Sequence, residues 1–397
     1  MERYNLSIQQ EEMWIAEQLF SKGNLWSVAG YSKLDKSINL QILAKASFLA
    51  INSFSNFKAR FLVDDDGYPY QIFEEMVACD CEFIDNVLDD KKAIEWMQNK
   101  TWEPMFVSDE KLIYVAIIIS PATNFYFIKA HHLLFDLYGI NITTNRVMDI
   151  YSQLINNQVV SLYNLDDCDY KDYLRSQKEY IGSSIWEKDK EYWEDELCNK
   201  QSNINVFSLI DKTNLKSKVE FMFVNEEKKE ALRELAISSN VSEFVLWLYL
   251  ISETFCRIYF LDSFCLGVHL LNRTNKKQRS TPGLFVNTLP INISNQPLNL
   301  GLVNISKKIK EALRHQQFPI SKLSLPAHLY SVLVSFQTYN QEVSMRGYLL
   351  TCNEAVCPLT FFIDYDCIRV VYQENVGKDT TIQIINSLWK TIDNVLL

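Results

Sequence analysis

Two adjacent histidines with an aspartate four residues beyond the second, His131-His132-Leu133-Leu134-Phe135-Asp136, are the residues of this chain best suited to chemistry. An imidazole with an ordinary pKa of about 6.5 exchanges a proton near neutrality, so a histidine held in a cleft serves as a general base or acid. On an extended backbone neighbouring side chains point to opposite faces. Only one of the pair can enter a given cleft, and the other packs into the core. A metal centre needs at least one more ligand than the two histidines. Asp136 offers itself, but nothing nearby completes a set, and no metal is assigned. On this motif alone, a catalytic histidine and two satisfied core histidines are equally well supported.

The surrounding pattern says which elements must hold the motif. A strand-like run, Leu112 to Ser120, is followed by a turn around Pro121 and a second run, Phe125 to Ala130, that leads into the histidines. Beyond them Ile140, Val147, Ile150, Tyr151 and Leu154 recur at helical spacing. The pair therefore sits at a strand end before a helix, where a rigid element fixes a side chain and a loop exposes it. Upstream, Met13, Ile15, Leu19 and Phe20 fit a short amphipathic helix with Ser7 as N-cap, and Leu40 to Phe54 a second helix. Asp64-Asp65-Asp66-Gly67 reads as a hairpin turn between Phe61-Leu62-Val63 and Tyr68 to Phe73. Tyr170 to Leu197 reads as a polar surface helix joining two halves. Val241 to Tyr259 is a long apolar helix capped by Ser239 or Ser242. Extended segments follow at Phe264–Leu271, Leu284–Ile293, Tyr330–Phe336, Thr360–Asp364 and Ile368–Tyr372, and a helix closes the chain from about Thr380. Strands and helices mix in both halves, so the class is α/β (α+β) with two lobes.

Composition narrows the function classes. The formal charge of −10 is the opposite of what a general nucleic-acid binder carries. The nine cysteines form no double Cys-x-x-Cys pattern, Cys79 and Cys81 being a lone close pair, and are expected as reduced thiols. The start, Met1-Glu2-Arg3-Tyr4, lacks the apolar core of a signal peptide, and the longest apolar run, Leu112 to Ile119, is too short to span a bilayer. A soluble, cytoplasmic protein is expected.

Motifs in a fixed order then carry a resemblance. Leu6 to Trp14 resembles an opening Ser-x-Ala-Gln-x-x-x-Trp motif, and His131 to Asp136 matches His-His-x-x-x-Asp-Gly up to its last position. Tyr170-Lys171-Asp172-Tyr173, with Tyr192-Trp193 and Leu197, resembles a segment linking two lobes. Gly267 to Arg273 resembles a Gly-to-Arg strand, and Gly283-Leu284-Phe285-Val286-Asn287-Thr288 is close to Gly-x-Phe-Val-Asn-Thr. Arg314 to Pro319 resembles a His-Gln-x-x-Pro signature. Together these are similar to the condensation domains of nonribosomal peptide synthetases over nearly the whole chain. Departures are Leu137 for the usual glycine and Gly139 for a frequent serine. Asp136-Leu137-Tyr138-Gly139 is similar to the Asp-Gly-Tyr-Gly variant of free-standing amide synthases such as that of vibriobactin assembly. The usual Arg-His-Glu-x-Leu-Arg-Thr-x-Phe motif is reduced to Phe57-Lys58-Ala59-Arg60-Phe61.

The resemblance implies two chloramphenicol-acetyltransferase-like lobes in a V with a tunnel between them, the N-terminal lobe over 1–180 and the C-terminal lobe over 181–397. It implies amide-bond formation between an acyl or aminoacyl thioester, carried on the phosphopantetheine arm of a carrier protein, and an amine acceptor. No cofactor of the enzyme's own is implied. His132 is the implied catalyst. His131 and Gly139 support it, Asp136 pairs with Arg273 from the other lobe, and Asn287 and Thr288 mark a strand near the tunnel. Lys276, Lys277 and Arg279 form a basic cluster that is either a solvated loop or a docking point for an acidic carrier. His315 and His328 are assigned no chemistry. With no adenylation or carrier segment attached, a free-standing monomeric enzyme is expected, acting in nonribosomal peptide or siderophore-like biosynthesis. The alternatives are a catalytically silent module that recruits carriers, and an ester-forming relative.

Overall fold

A computed structural model describes residues 2–20, 25–85, 87–107, 111–160, 169–198, 206–207, 214–324, 329–337, 345, 347–364 and 367–397. In chain order the elements begin β1 (Tyr4–Asn5), α1 (Ile8–Phe20), β2 (Ser27–Leu34), α2 (Leu40–Ser53), β3 (Ala59–Val63), β4 (Pro69–Phe73) and β5 (Cys81–Ile84). They continue with α3 (Asp90–Trp102), β6 (Ile113–Ile119), β7 (Asn124–His131), α4 (Leu137–Ile155), α5 (Tyr170–Tyr180), α6 (Ser184–Cys198), β8 (Ser217–Met222) and α7 (Glu226–Ser238). Then come α8 (Glu243–Tyr259), β9 (Ser263–Leu270), α9 (Lys276–Arg279), β10 (Asn287–Ser294) and α10 (Leu298–Arg314). The chain ends with β11 (Val332–Phe336), β12 (Gly347–Leu350), β13 (Leu359–Ile363), β14 (Ile368–Gln373) and α11 (Lys378–Leu396). Strands and helices mix in both halves of the chain, an α/β architecture.

Two compact units emerge. The first comprises Met1–Ser183 together with Arg273–Val286 and Gln341–Cys352; the second comprises Ser184–Asn272, Asn287–Asn340 and Asn353–Leu397. The chain thus returns to the first unit twice after leaving it.

In the first unit a sheet of order β12-β2-β7-β6-β5 carries the histidines at the end of its central strand. Every residue of β7 is buried, as in a strand covered on both faces. Tyr126, Ile128 and Ala130 join the core under α2 and α4. Phe125 and Phe127 face a second core with Ala93 and Met97 of α3. Lys129, also on that side, is buried and donates to the carbonyls of Lys100 (3.0 Å) and Glu103 (2.5 Å) at the C-terminal end of α3. The β3–β4 hairpin forms at the expected turn, with Gly67 at φ +87°, the left-handed conformation such a turn requires.

α1 forms where expected but turns a different face inward. Ile15 and Leu19 are exposed, whereas Gln10 and Glu17 are buried. Ser7 and Gln10 make a reciprocal capping box: the Gln10 N–H donates to Ser7 Oγ (3.1 Å) and the Ser7 N–H to Gln10 Oε1 (2.9 Å). The segment expected as one surface helix is two helices, broken at Gly182 (φ +73°). Nor is it all surface, since α5 buries Tyr170, Tyr173, Leu174, Gln177 and Tyr180. The basic cluster is an exposed helical turn, α9, rather than a loop.

In the second unit a sheet of order β10-β9-β11-β13-β14-β8 packs a continuous apolar core with α8, α10 and α11. Ser242 caps α8, its side chain accepting from the Val245 N–H. Among the described residues no single helix is long and apolar enough to cross a membrane.

Candidate active site

The β2–β7 ladder pairs Ser27 with His131, and the His132 N–H extends it by donating to the Trp26 carbonyl (2.6 Å). The chain then turns sharply: the Leu134 N–H returns to the His131 carbonyl (3.0 Å), and Asp136 starts α4. Further backbone groups of the turn are also bound. Gln10 Nε2 donates to the Leu133 carbonyl and Asn56 Nδ2 to that of Leu134, both at 2.9 Å. The Asp136 N–H donates to the Gly283 carbonyl (3.0 Å). A loop satisfied in this way holds its side chains in fixed directions.

The two histidines part company here. His131 is fully buried; its Nδ1 accepts from the Leu133 N–H (3.2 Å), and its Nε2 lies 2.9 Å from Glu17 Oε2. His132 is half-buried, with Nδ1 enclosed and making no hydrogen bond. Burial pushes its pKa below the usual 6.5; the Asp136 carboxylate and the carbonyls of His132 and Phe135 act in the opposite sense without cancelling it. His132 is therefore neutral at pH 7, the state in which an imidazole can accept a proton.

Asp136 does not contact either imidazole through a hydrogen bond. Its Oδ1 accepts from the Gly139 N–H (2.9 Å) as helix N-cap and from Arg273 Nη2 (2.9 Å); its Oδ2 accepts from Arg273 Nη2 (3.2 Å) and from the N–H groups of Phe285 (3.1 Å) and Val286 (3.2 Å). Arg273 also donates to the carbonyls of Gln278, Thr281 (2.6 Å) and Gly283 (3.3 Å), with its guanidinium 4.0 Å from the Phe285 ring centre. Both side chains are almost wholly inaccessible. The resemblance implied an Arg273 from the other lobe. The structure instead puts Arg273–Val286 in the same compact unit as Asp136, because that segment crosses back and its amides and arginine together neutralise one carboxylate.

Gly139 sits in the first turn of α4, where a Cβ would lie 2.9 Å from the Phe135 Cβ, so its small size lets helix and motif loop close together. Leu137, the first residue of α4, is half-buried against the core under α2 and α4. Asn287 and Thr288 belong to the second unit. Asn287 is buried, its Nδ2 donating to the carbonyls of Gln316 (2.8 Å) and Phe318 (3.0 Å), while its Oδ1 accepts from the Thr288 N–H (2.9 Å); Thr288 is half-buried. His315 pairs through Nδ1 with Asp189 (2.7 Å) in that unit, and His328 lies outside the described residues. Among the described residues no cluster of metal-ligating side chains occurs.

Sequence reasoning missed Gln10, Glu17 and Asn56 as parts of the site. Gln10 and Glu17 are seven residues apart, two turns of α1, and so share a face. The signal was a polar row on a helix whose apolar residues did not make one continuous stripe.

The family model that matches this chain is the condensation domain, over residues 1–349. The chain belongs to the condensation-domain family. Such domains of nonribosomal peptide synthetases are amide-bond-forming acyltransferases. Among curated relatives, surfactin synthase subunit 1 of Bacillus subtilis is 25% identical over 336 residues, covering 81% of this chain and 9% of the relative. Enterobactin synthase component F of Escherichia coli O157:H7 is 22% identical over 337 residues, covering 79% and 25%. This condensation domain therefore spans only a small part of the synthetases it matches. Its fold is that of the first condensation domain of the calcium-dependent antibiotic synthetase in complex with substrate analogue 2a, with a TM-score of 0.86 at 18% identity, covering 100% of this chain and 98% of the other. A point mutant of the starter condensation domain of rhizomide synthetase, in complex with C8-CoA, matches with a TM-score of 0.84 at 19% identity, covering 98% and 95%.

Proposed function

We propose that this condensation domain joins an acyl group, presented as a thioester on the phosphopantetheine arm of a carrier protein, to an amine, with His132 as the catalytic residue. The amine nitrogen attacks the thioester carbon, the C–N bond forms, and the C–S bond breaks to release the thiol. His132 accepts the proton lost by nitrogen and returns it to the departing sulfur. The observation that carries this reading is a half-buried imidazole kept neutral by burial, at the end of a rigid strand, on a turn whose Leu133 and Leu134 carbonyls are held by buried side chains.

The chemistry asks little more of the protein. A thioester is already activated, and holding two reactants together supplies effective molarities of roughly 10⁵–10⁸ M. The rhizomide relative's complex with C8-CoA supports a thioester on a phosphopantetheine arm as donor, since coenzyme A carries the same arm. Neighbourhood to enterobactin and surfactin synthases supports a carrier partner and a nonribosomal product. Asp136 and Arg273 hold the loop; they form no relay with His132.

Intact-mass analysis with acyl-loaded carriers and a panel of amines and alcohols, free and carrier-bound, tests the proposal. An amide that vanishes with His132→Ala is expected. If no cognate donor yields amide or ester, or if His132→Ala forms the same product undiminished, the reading fails. A purely ester product would move the acceptor class from amine to hydroxyl. The free-standing, monomeric form is read from the size of the native polypeptide and its sedimentation.

A further inference from the structure

We infer that Glu17 is a positioning residue for the reaction, acting through His131 on the turn that presents His132; the inference rests on the function proposed above. Glu17 is an acidic residue with its side chain 5% exposed, on the second turn of α1 beyond Gln10. A buried carboxylate is costly unless its oxygens find partners; one oxygen of Glu17 has a hydrogen bond, and the other meets only an imidazole nitrogen, in charge contact without hydrogen-bond alignment. Oε1 accepts from the Val107 N–H (3.0 Å), and Oε2 lies 2.9 Å from His131 Nε2.

The other face of the His131 ring decides the proton. Nδ1 accepts from the Leu133 N–H and so carries no proton; the ring's N–H is therefore at Nε2, on the side of the carboxylate. Glu17 thereby selects the tautomer that lets Nδ1 receive the backbone of the residue after His132. The Leu133 carbonyl, in turn, receives Gln10 Nε2 from the same face of α1. Helix α1 thus grips the catalytic turn through two buried polar side chains, one directly and one through His131.

Glu17→Gln is the discriminating change, being nearly the same volume. Its amide has one acceptor and one donor end, so it can satisfy Val107 or His131 but not both. With the oxygen on Val107, its NH₂ faces His131 Nε2 and drives the proton to Nδ1, against the Leu133 N–H. In the full chain, kcat is expected to fall about tenfold or more, because a small misplacement of a catalytic group is costly, with KM for the amine little changed. In a His131→Ala background the same change should lower kcat no further; independent, multiplying losses overturn the inference. Nitrogen-15 NMR of the His131 ring gives a readout that does not need activity. The Nε2–H tautomer in the native chain, lost in Glu17→Gln, supports it; the same tautomer in both overturns it. Should the native chain make no amide or ester, the proposed function falls while the ring tautomer still decides this point. Should Glu17→Gln fail to fold, the native ring decides alone, and an Nδ1–H tautomer there overturns it.

Discussion

His132 differs from its neighbour in what surrounds it rather than in its chemistry. Burial lowers its pKa from the usual 6.5, so its basic form persists below that pH. The acid limb of kcat/KM for the free enzyme is therefore expected with a midpoint below 6.5, and a midpoint above it would contradict the assignment. Folding stability follows the same sign. The contribution of a neutral, half-buried His132 is complete above pH 6.5 and is lost as pH falls through the lower folded-state pKa; His132→Gln should flatten that part of a urea-measured stability profile. Asp136 makes a different kind of prediction. Removing it leaves the Arg273 guanidinium buried without its counter-charge, a loss of about 3–5 kcal/mol, whereas Asp136→Leu with Arg273→Met should recover much of it. Chemical denaturation of the single and double variants measures both.

At the scale of elements, the motif loop depends on how α1, α3 and α4 begin and end. Ser7→Ala removes one half of the α1 capping box and should cost about 1 kcal/mol, read as a shift in thermal midpoint. Gly139→Ala puts a methyl 2.9 Å from the Phe135 Cβ, an atom that cannot swing away, and should cost about 1–3 kcal/mol. Lys129, buried against the end of α3, has its pKa pushed down to about 8 by burial, which the nearby Cys352 and Glu103 only partly oppose. Between about pH 8 and its ordinary 10.5 the unfolded chain binds a proton that the folded one does not, so stability rises across that window. The rise should be smaller in Lys129→Met, measured by denaturant titration at each pH.

For the whole molecule, the decisive fact is that the first unit is discontinuous. Residues 1–183 alone lack Arg273, the amides of Phe285 and Val286, and strand β12, whose pairing covers the edge of β2. Expressed alone, that fragment should lack a cooperative thermal transition and a native near-ultraviolet spectrum. A fragment that folds and melts cooperatively would show the two returning segments to be dispensable. The same discontinuity explains why a boundary read along the sequence near residue 180 marks where the chain first leaves the unit and says nothing of where it comes back.

Much of the site was legible in the sequence because it depends on local rules. Strand-then-helix periodicity put the histidines at the end of β7, alternation along the strand separated His131 from His132, and the ordered motifs supplied the family. The departures lie where contact depends on distant residues. Ile15 and Leu19 looked like the inward face of α1, yet that helix buries Gln10 and Glu17, because the turn after β7 offers unpaired backbone groups and an imidazole that apolar side chains cannot satisfy. Only the tertiary structure decided that Arg273 returns to Asp136 within one unit, since a charge brought together with its partner across 137 positions leaves no periodic trace in the chain. The sequence determined which residues could do the chemistry; the fold decided what holds His132 in place, because burial, and not spacing, selects the partners of a buried charge.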